Sequence, residues 1–351
     1  NGRELIEESI KRIEENFPQL AFQTEGLYRE MIYENGHCSW INEALLVMDY
    51  QPYPQKSYVR KSWKAYWNEQ FYDEWLPFRQ YRKTLPGGHP QFFKYYNSIE
   101  DKVCIISTRK SENLIQEQLE PELWSGPLGL TAADKVKFQA DFLDPKLLDK
   151  YEYTRGAALL LDSIVCIAVN FKPVELSQRV HQMWQEKISF PLFAGTVYLD
   201  VENFAVVRFE CTIANPKTMD IYQISDPWQI FPASIEVSVD YRKFDKVWLP
   251  RQLIIEQVLE GKSSEKWNFS NHFRIKRELF FNPGGSKKLK GIEFRDIHRA
   301  NLRDFPVAYQ PEIWEDFFRR GHYPAIGDQE TKDLERMTPL EKQFMLIDRR
   351  Y

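Results

Sequence analysis

The chain has 351 residues, with 47 Lys and Arg against 51 Asp and Glu, and its net charge of -4 gives no overall electrostatic reason to expect a nucleic-acid partner. Four Cys are no disulfide framework, and a chain this long buries enough surface to fold without a disulfide or metal staple. The 15 Gly argue mildly against a fold built on several glycine-rich phosphate loops. The longest apolar run, Ala157 to Leu161, is stopped by Asp162, so no membrane-spanning segment is expected. The chain starts at Asn1 with no basic-apolar-small leader, as a trimmed or mature chain would.

Leu5, Ile6, Ile10, Ile13 and Phe17 recur at helical spacing until Pro18, which predicts an amphipathic helix that covers a core. Two strand-favouring stretches follow, Leu27 to Tyr33 and Trp40 to Tyr50, and Asn35-Gly36 between them predicts a hairpin. Residues 50 to 96 are about one third aromatic, a bias far above ordinary usage. Within them Trp63, Tyr66, Trp67, Phe71 and Trp75 share one helical face. Two readings stay open there: a helix packed by bulky side chains, and a binding face for sugars, lipid headgroups, peptides or a protein.

Val103 to Ser107 reads as a short strand, and Asp144-Pro145 as a helix start. Ile164 to Phe171 is an apolar strand, and Thr196 to Asp200 with Phe204 to Ile213 form a hairpin around Val201-Glu202-Asn203. In Ser234 to Arg242 the apolar Ile235, Val237, Val239 and Tyr241 alternate with polar residues, the pattern of a strand with one dry and one wet face. Val247 to Leu259 and Trp267 to Ile275 continue the meander, joined by a turn at Glu260 to Ser264. Trp314, Phe317 and Phe318 after Pro311, and the capping box Thr338-Pro339-Leu340-Glu341, predict a helical tail that docks on the body or on a partner. Strand after strand with helices at the ends is α+β. One domain over 1–351 is expected: helix and hairpin to about 50, an aromatic-rich helical insertion over about 51–98, the main antiparallel sheet over about 99–300, and the tail from about 301.

Chemistry is sparsely signalled. Neither His-Glu-x-x-His nor Cys-x-x-Cys occurs, so no metal is expected, and the adjacent His37 and Cys38 point to opposite faces of a strand. Cys38, Cys104, Cys166 and Cys211 read as structural thiols. No Gly-x-Ser-x-Gly elbow exists. Gly261-Lys262-Ser263 lacks the first Gly of a phosphate loop, since Glu256 stands there, and reads as a hairpin turn. Gly284 to Lys288 reads as a basic turn able to touch a lipid headgroup. Paired acids (Asp200 and Glu202, Glu315 and Asp316) and the histidines His272 and His298 are the candidates for acid and base work, but no residue is assigned as catalytic and no cofactor is implied.

Ser125-Gly126-Pro127-Leu128, Phe142-Leu143-Asp144, Tyr151-Glu152-Tyr153 and above all Gly195-Thr196-Val197-Tyr198-Leu199-Asp200 with Phe204-Ala205-Val206-Val207-Arg208 resemble the main region of Bacteroidota envelope proteins that contain a carboxypeptidase-like regulatory domain. The opening Ile10 to Pro18 and Leu27 to Glu30 fit as well, so the likeness runs from about residue 4 to about 300. The β-sandwich that gives that family its name is not part of this chain, and no peptidase activity follows. More weakly, the Gly-to-Arg hairpin resembles lipoprotein-carrier half-barrels, in which a curved antiparallel sheet wraps helices and can leave an apolar concavity for acyl chains. The resemblance implies a half-barrel-like meander in the periplasm or on the periplasmic face of the outer membrane, with Asp200 and Arg208 fixing hairpin geometry. It leads to the expectation of a non-enzymatic protein that binds an outer-membrane protein or envelope complex, as an accessory subunit of transport or assembly machinery, with Trp63, Tyr66, Trp67, Phe71 and Trp75 as binding residues. The alternatives are a periplasmic carrier or sensor of a lipid or acylated ligand, and a hydrolase of envelope glycan or peptide.

Overall fold

The computed structural model describes residues 1–54, 101–112, 126–131, 133–175, 179–183, 186–190, 193–214, 222–225, 228–263, 271–282, 308–320, 323–335 and 338–347. Helix α1 (Gly2–Lys11) is capped by Asn1, whose Oδ1 accepts the Arg3 N–H at 3.1 Å, and α2 (Ile13–Asn16) follows after a break at Arg12. Their apolar stripe buries Ile6, Ile13 and Phe17. Strands β1 (Phe22–Glu34) and β2 (His37–Tyr50) form the expected hairpin, with both turn residues, Asn35 (φ 51°) and Gly36 (φ 88°), at positive φ.

After β3 (Lys102–Glu112) come α3 (Pro127–Thr131), α4 (Lys135–Phe138) and two short 3-10 turns. The meander then runs through β4 (Tyr151–Leu161), β5 (Ile164–Pro173), β8 (Phe193–Asp200), β9 (Val206–Ile213), β11 (Trp228–Phe244), β12 (Val247–Ser263) and β13 (Asn271–Asn282). β6 (Arg179–Met183) and β7 (Glu186–Phe190) pair with each other, and β10 (Tyr222–Ser225) pairs with β11. The spatial order is β3-β2-β1-β13-β12-β11-β9-β8-β5-β4, all antiparallel, and β3 does not meet β4. The fold is therefore α+β: a curved, unclosed sheet of half-barrel type, with helices at its faces. The tail helices are α5 (Pro311–Arg320), α6 (Asp328–Leu334) and α7 (Leu340–Ile347).

The inner face carries the alternating residues that the sequence singles out. Ile235, Val237, Val239 and Tyr241 are all buried there with Leu253, Ile255 and Ile275, and Leu128, Leu130, Val136, Phe138 and Phe142 from the 126–143 segment fill the concavity against them. Phe142 stacks on Phe171 at 3.9 Å between centroids and meets Phe209 edge-on at 5.5 Å. One dry and one wet face is correct for β11. In β1 and β2 both faces are dry, because the tail covers the outer one: Leu27 and Leu45 pack with Trp314 and Phe317, and Met31 and Ile41 with Leu334 and Phe344.

Four local expectations are corrected. Strand β4 occupies residues read only as an apolar run; Asp162 and Ser163 at φ 46° and 71° turn it into β5. Asp144-Pro145 starts no α-helix: Asp144 closes a turn, its backbone oxygen accepting from Leu147 N at 2.8 Å, and β4 begins at Tyr151, which leaves no room for helix growth. Residues 260–263 are not a turn but the end of β12, opposite 228–231 of β11. The last strand of the meander, expected to end at Ile275, runs on to Asn282, and its expected start at Trp267 lies outside the described residues.

Phe142→Ala should cost about 3–5 kcal/mol, the usual price of emptying an aromatic site in a core, read from the urea midpoint at constant m. Gly195→Ala should also destabilise markedly, because a Cβ there would collide with the backbone of Glu210 and Cys211 on β9.

Candidate functional site

Antiparallel connection puts successive turns at opposite ends of the sheet. One end collects the β4–β5, β8–β9 and β11–β12 turns, the entry to β1, and the point where the chain leaves β2 and returns to β3. Asp49 lies opposite Lys102, so residues 50–101 are an excursion closed at its base. That base is tied. The Gln51 N–H donates to Asp101 Oδ1 at 2.7 Å, and Lys137 Nζ donates to the same oxygen at 2.5 Å while its ammonium lies 3.7 Å from the Tyr50 ring centroid.

Next to it, the Asp134 carboxylate caps α4 and accepts four hydrogen bonds: from the hydroxyls of Tyr50 (2.7 Å), Tyr53 and Tyr241, and from the Lys137 N–H (3.0 Å). These residues are fully or almost fully buried. Tyr53 is held further by its N–H to Pro18 O at 2.8 Å and by Phe17, stacked at 5.1 Å. The root of the excursion is thus fastened to α2, α4 and β11 together. Burial pushes the Asp134 carboxyl above the usual carboxylate range, against the opposing pull of its hydrogen-bond donors, and pushes the tyrosine hydroxyls well above theirs.

The rim of this end carries several exposed apolar residues among its polar ones. Leu20 is 80% exposed, Leu160 66%, and Val165 and Phe244 49% each, with Leu160 directly opposite Val165 across the β4–β5 hairpin. Phe244 stands among exposed Arg242, Lys243 and Lys246, and Arg251 holds the β4–β5 turn through Asp162 at 2.6 Å. An exposed apolar residue alone is ordinary; several around the root of an aromatic-rich excursion make a candidate contact surface.

The five residues proposed for binding, Trp63, Tyr66, Trp67, Phe71 and Trp75, lie outside the described residues, as do His298 and Gly284 to Lys288. His272 is exposed, its backbone N–H bonded to Asn35 Oδ1 at 3.2 Å; Glu260 lies opposite it on β12, but among the described residues no hydrogen bond or ion pair joins the imidazole to an acid. Asp200 does fix its turn, Oδ1 accepting the Glu202 N–H at 3.0 Å, but Arg208 pairs with Asp240 on β11 and not with Asp200. Glu315 and Asp316 are exposed, and Asp316 pairs with Arg320 at 2.9 Å. The four cysteines are free; burial pushes the Cys38 thiol to about 12 and Cys166 to about 11, values of unreactive thiols. Among the described residues no group of three His, Cys, Asp or Glu could hold a metal ion. Sequence reading missed the Asp134 group, because its three tyrosines are 81 to 107 positions away.

Asp134 also predicts a pH dependence. Its folded pKa lies above its unfolded one, so the folded state holds the proton more tightly, and the stability this gives is full below the ordinary Asp range and lost as pH rises through the raised value. The difference in denaturation midpoint between wild type and Asp134→Asn should therefore shift steadily against the wild type as pH is raised from about 4. A difference independent of pH would mean that Asp134 titrates normally.

No protein-family model matches the chain, and no curated protein matches it in sequence. Similar solved structures include a DUF1329 family protein from Desulfovibrio piger (8% identity, 86% of this chain and 97% of that one, TM-score 0.27). They also include a domain from Vibrio parahaemolyticus named for outer membrane lipoprotein sorting (10% identity, 86% and 97%, TM-score 0.28) and a LolA superfamily protein from Nitrosomonas europaea (8% identity, 80% and 93%, TM-score 0.23). Scores this low carry no inference about ancestry or activity.

Proposed function

We propose that the protein is a non-enzymatic binding protein of the bacterial cell envelope, in the periplasm or on the periplasmic face of the outer membrane. It engages an outer-membrane protein through the end of the half-barrel that bears residues 55–100, as an accessory subunit of transport or assembly machinery. The observation that carries this reading is the convergence at one end of exposed Leu20, Leu160, Val165 and Phe244 with the buried Asp134 and Asp101 ties. A rigid base under an aromatic-rich segment lowers the ordering cost of a contact, and Trp and Tyr anchors dominate protein interfaces. The envelope setting rests on the sequence resemblance.

The carrier reading needs an open concavity. In the described residues Leu128, Val136, Phe138 and Phe142 occupy that space, so an acyl ligand would have to displace the 126–143 segment. Lipid without a protein partner in the experiment below would favour it.

The test is a tagged pull-down from mildly solubilised envelope of the source cell, with mass spectrometry of proteins and lipids. A stoichiometric outer-membrane protein is expected, and Trp63→Ala with Trp67→Ala should lower its recovery at least about tenfold, as the loss of interface anchors does. A chain that stays partner-free in its own envelope would overturn the proposal.

A further inference from the structure

The outer face of β1, β2, β3 and β13 is a groove already filled by the chain itself. Trp314 of α5 donates its indole N–H to Ser107 Oγ at 3.0 Å, and the same hydroxyl donates to Ala308 O at 2.8 Å and accepts from Gln310 N at 3.2 Å. The Arg109 guanidinium faces three rings of the tail: Trp314 at 4.1 Å, Phe344 at 4.8 Å and Phe318 at 5.3 Å. Arg29 Nη2 donates to Pro324 O at 2.8 Å, Tyr33 donates to Glu330 at 2.8 Å, and Asp333 accepts the Cys38 N–H at 2.9 Å. These are the contacts of a bound ligand: aromatic anchors, one cation stacked on rings, and hydrogen bonds to loose ends of the sheet.

The most deeply buried carboxylates beneath the tail find their partners without it. Glu43 has Arg29 on one oxygen and Arg109 on the other, both at 2.7 Å, and Glu278 has Lys276 at 2.9 Å with Arg29 at 3.7 Å. These pairs all lie within the sheet, so lifting the tail leaves Glu43 and Glu278 paired; Glu25, 3.6 Å from Arg320 of α5, exchanges that partner for water. The apolar contacts of the tail form two clusters of their own, Leu27, Leu45, Phe280, Trp314 and Phe317 in one, and Met31, Tyr33, Cys38, Ile41, Leu334, Leu340 and Phe344 in the other, separate from the main core on the opposite face. Opening there leaves the inner core closed, as sub-global opening units do.

We propose that this outer face is a docking groove for an amphipathic helical segment with Trp and Phe anchors, that residues 308–347 are its resident ligand, and that the same segment of a second copy of the chain can take their place. The tail detaches as a unit while the sheet stays folded. A tail on its own chain competes at an effective concentration in the millimolar range, so exchange is strongly disfavoured in the intact protein and becomes visible when the resident anchors are weakened.

Two measurements on the full chain test this. Hydrogen exchange should show the amides of 314–318 and 341–344 opening well before those of β1 and β2. Second, a labelled peptide of residues 308–347 should bind the variant Trp314→Ala with Phe317→Ala at least about tenfold more tightly than wild type, and Ser107→Ala added to that variant should weaken the peptide again. The idea is overturned if the tail and β1 exchange in step, which would make the tail part of one cooperative body. Equal peptide affinity for wild type and variant would overturn it as well.

Discussion

Where Ile32 of β1 meets Ile275 of β13 and Leu27 meets Phe280, the N-terminal hairpin is spliced into the meander and a strand that would have been an edge becomes a centre. Gly26 permits the approach: a Cβ there would stand 2.7 Å from Phe280 O and 3.2 Å from Leu46 Cδ1. A strand in that position needs cover on both sides, which the 126–143 segment and the tail supply. It also sets the terms for charge. Glu30 on the inner face accepts from Tyr28 at 2.6 Å and lies 3.4 Å from Arg277, which donates to Gln257 at 2.7 Å; Arg29 on the outer face has Glu43. Neither carboxylate could be left alone at that depth.

What could be read in the sequence is what local pattern determines. Alternation in 234–242 announces a half-buried strand, Asn35-Gly36 announces the β1–β2 turn, and the spacing of Trp314, Phe317 and Phe318 announces a helix, since each signal lies within a few residues of its cause. The β4 strand gave no such signal. It is an edge with a bulge between Arg155 and Ala158, half in solvent, and its apolar residues run together without a period. Residues 260–263 carry turn-like residues, and only their partners on β11 make them strand.

The candidate site was less legible than the fold. The helical spacing of the aromatics in 63–75 is local and could be named from the sequence, and those residues lie outside the described ones. The ties between the end of β2 and the start of β3 join Gln51 to Asp101, Lys137 to Asp101, and Asp134 to tyrosines 50, 53 and 241, and no local pattern relates those positions. Likewise α5 and α7 were legible as helices and α6 was not, while the groove that receives them exists only after β13 has joined β1 and β2 has joined β3.

The β1–β13 seam also sets a clock on synthesis. Its partners are about 240 residues apart, so at about 5–20 residues per second a ribosome finishes β13 some 12–50 s after β1 has been made. Early in that interval the β1–β2 hairpin has neither cover, and two-stranded hairpins are marginal in water; β3 and the 126–143 segment are made before β13, and the tail only after it. A nascent chain whose Leu27 and Leu45 stay unburied until the tail follows the last strand is a substrate for holding chaperones.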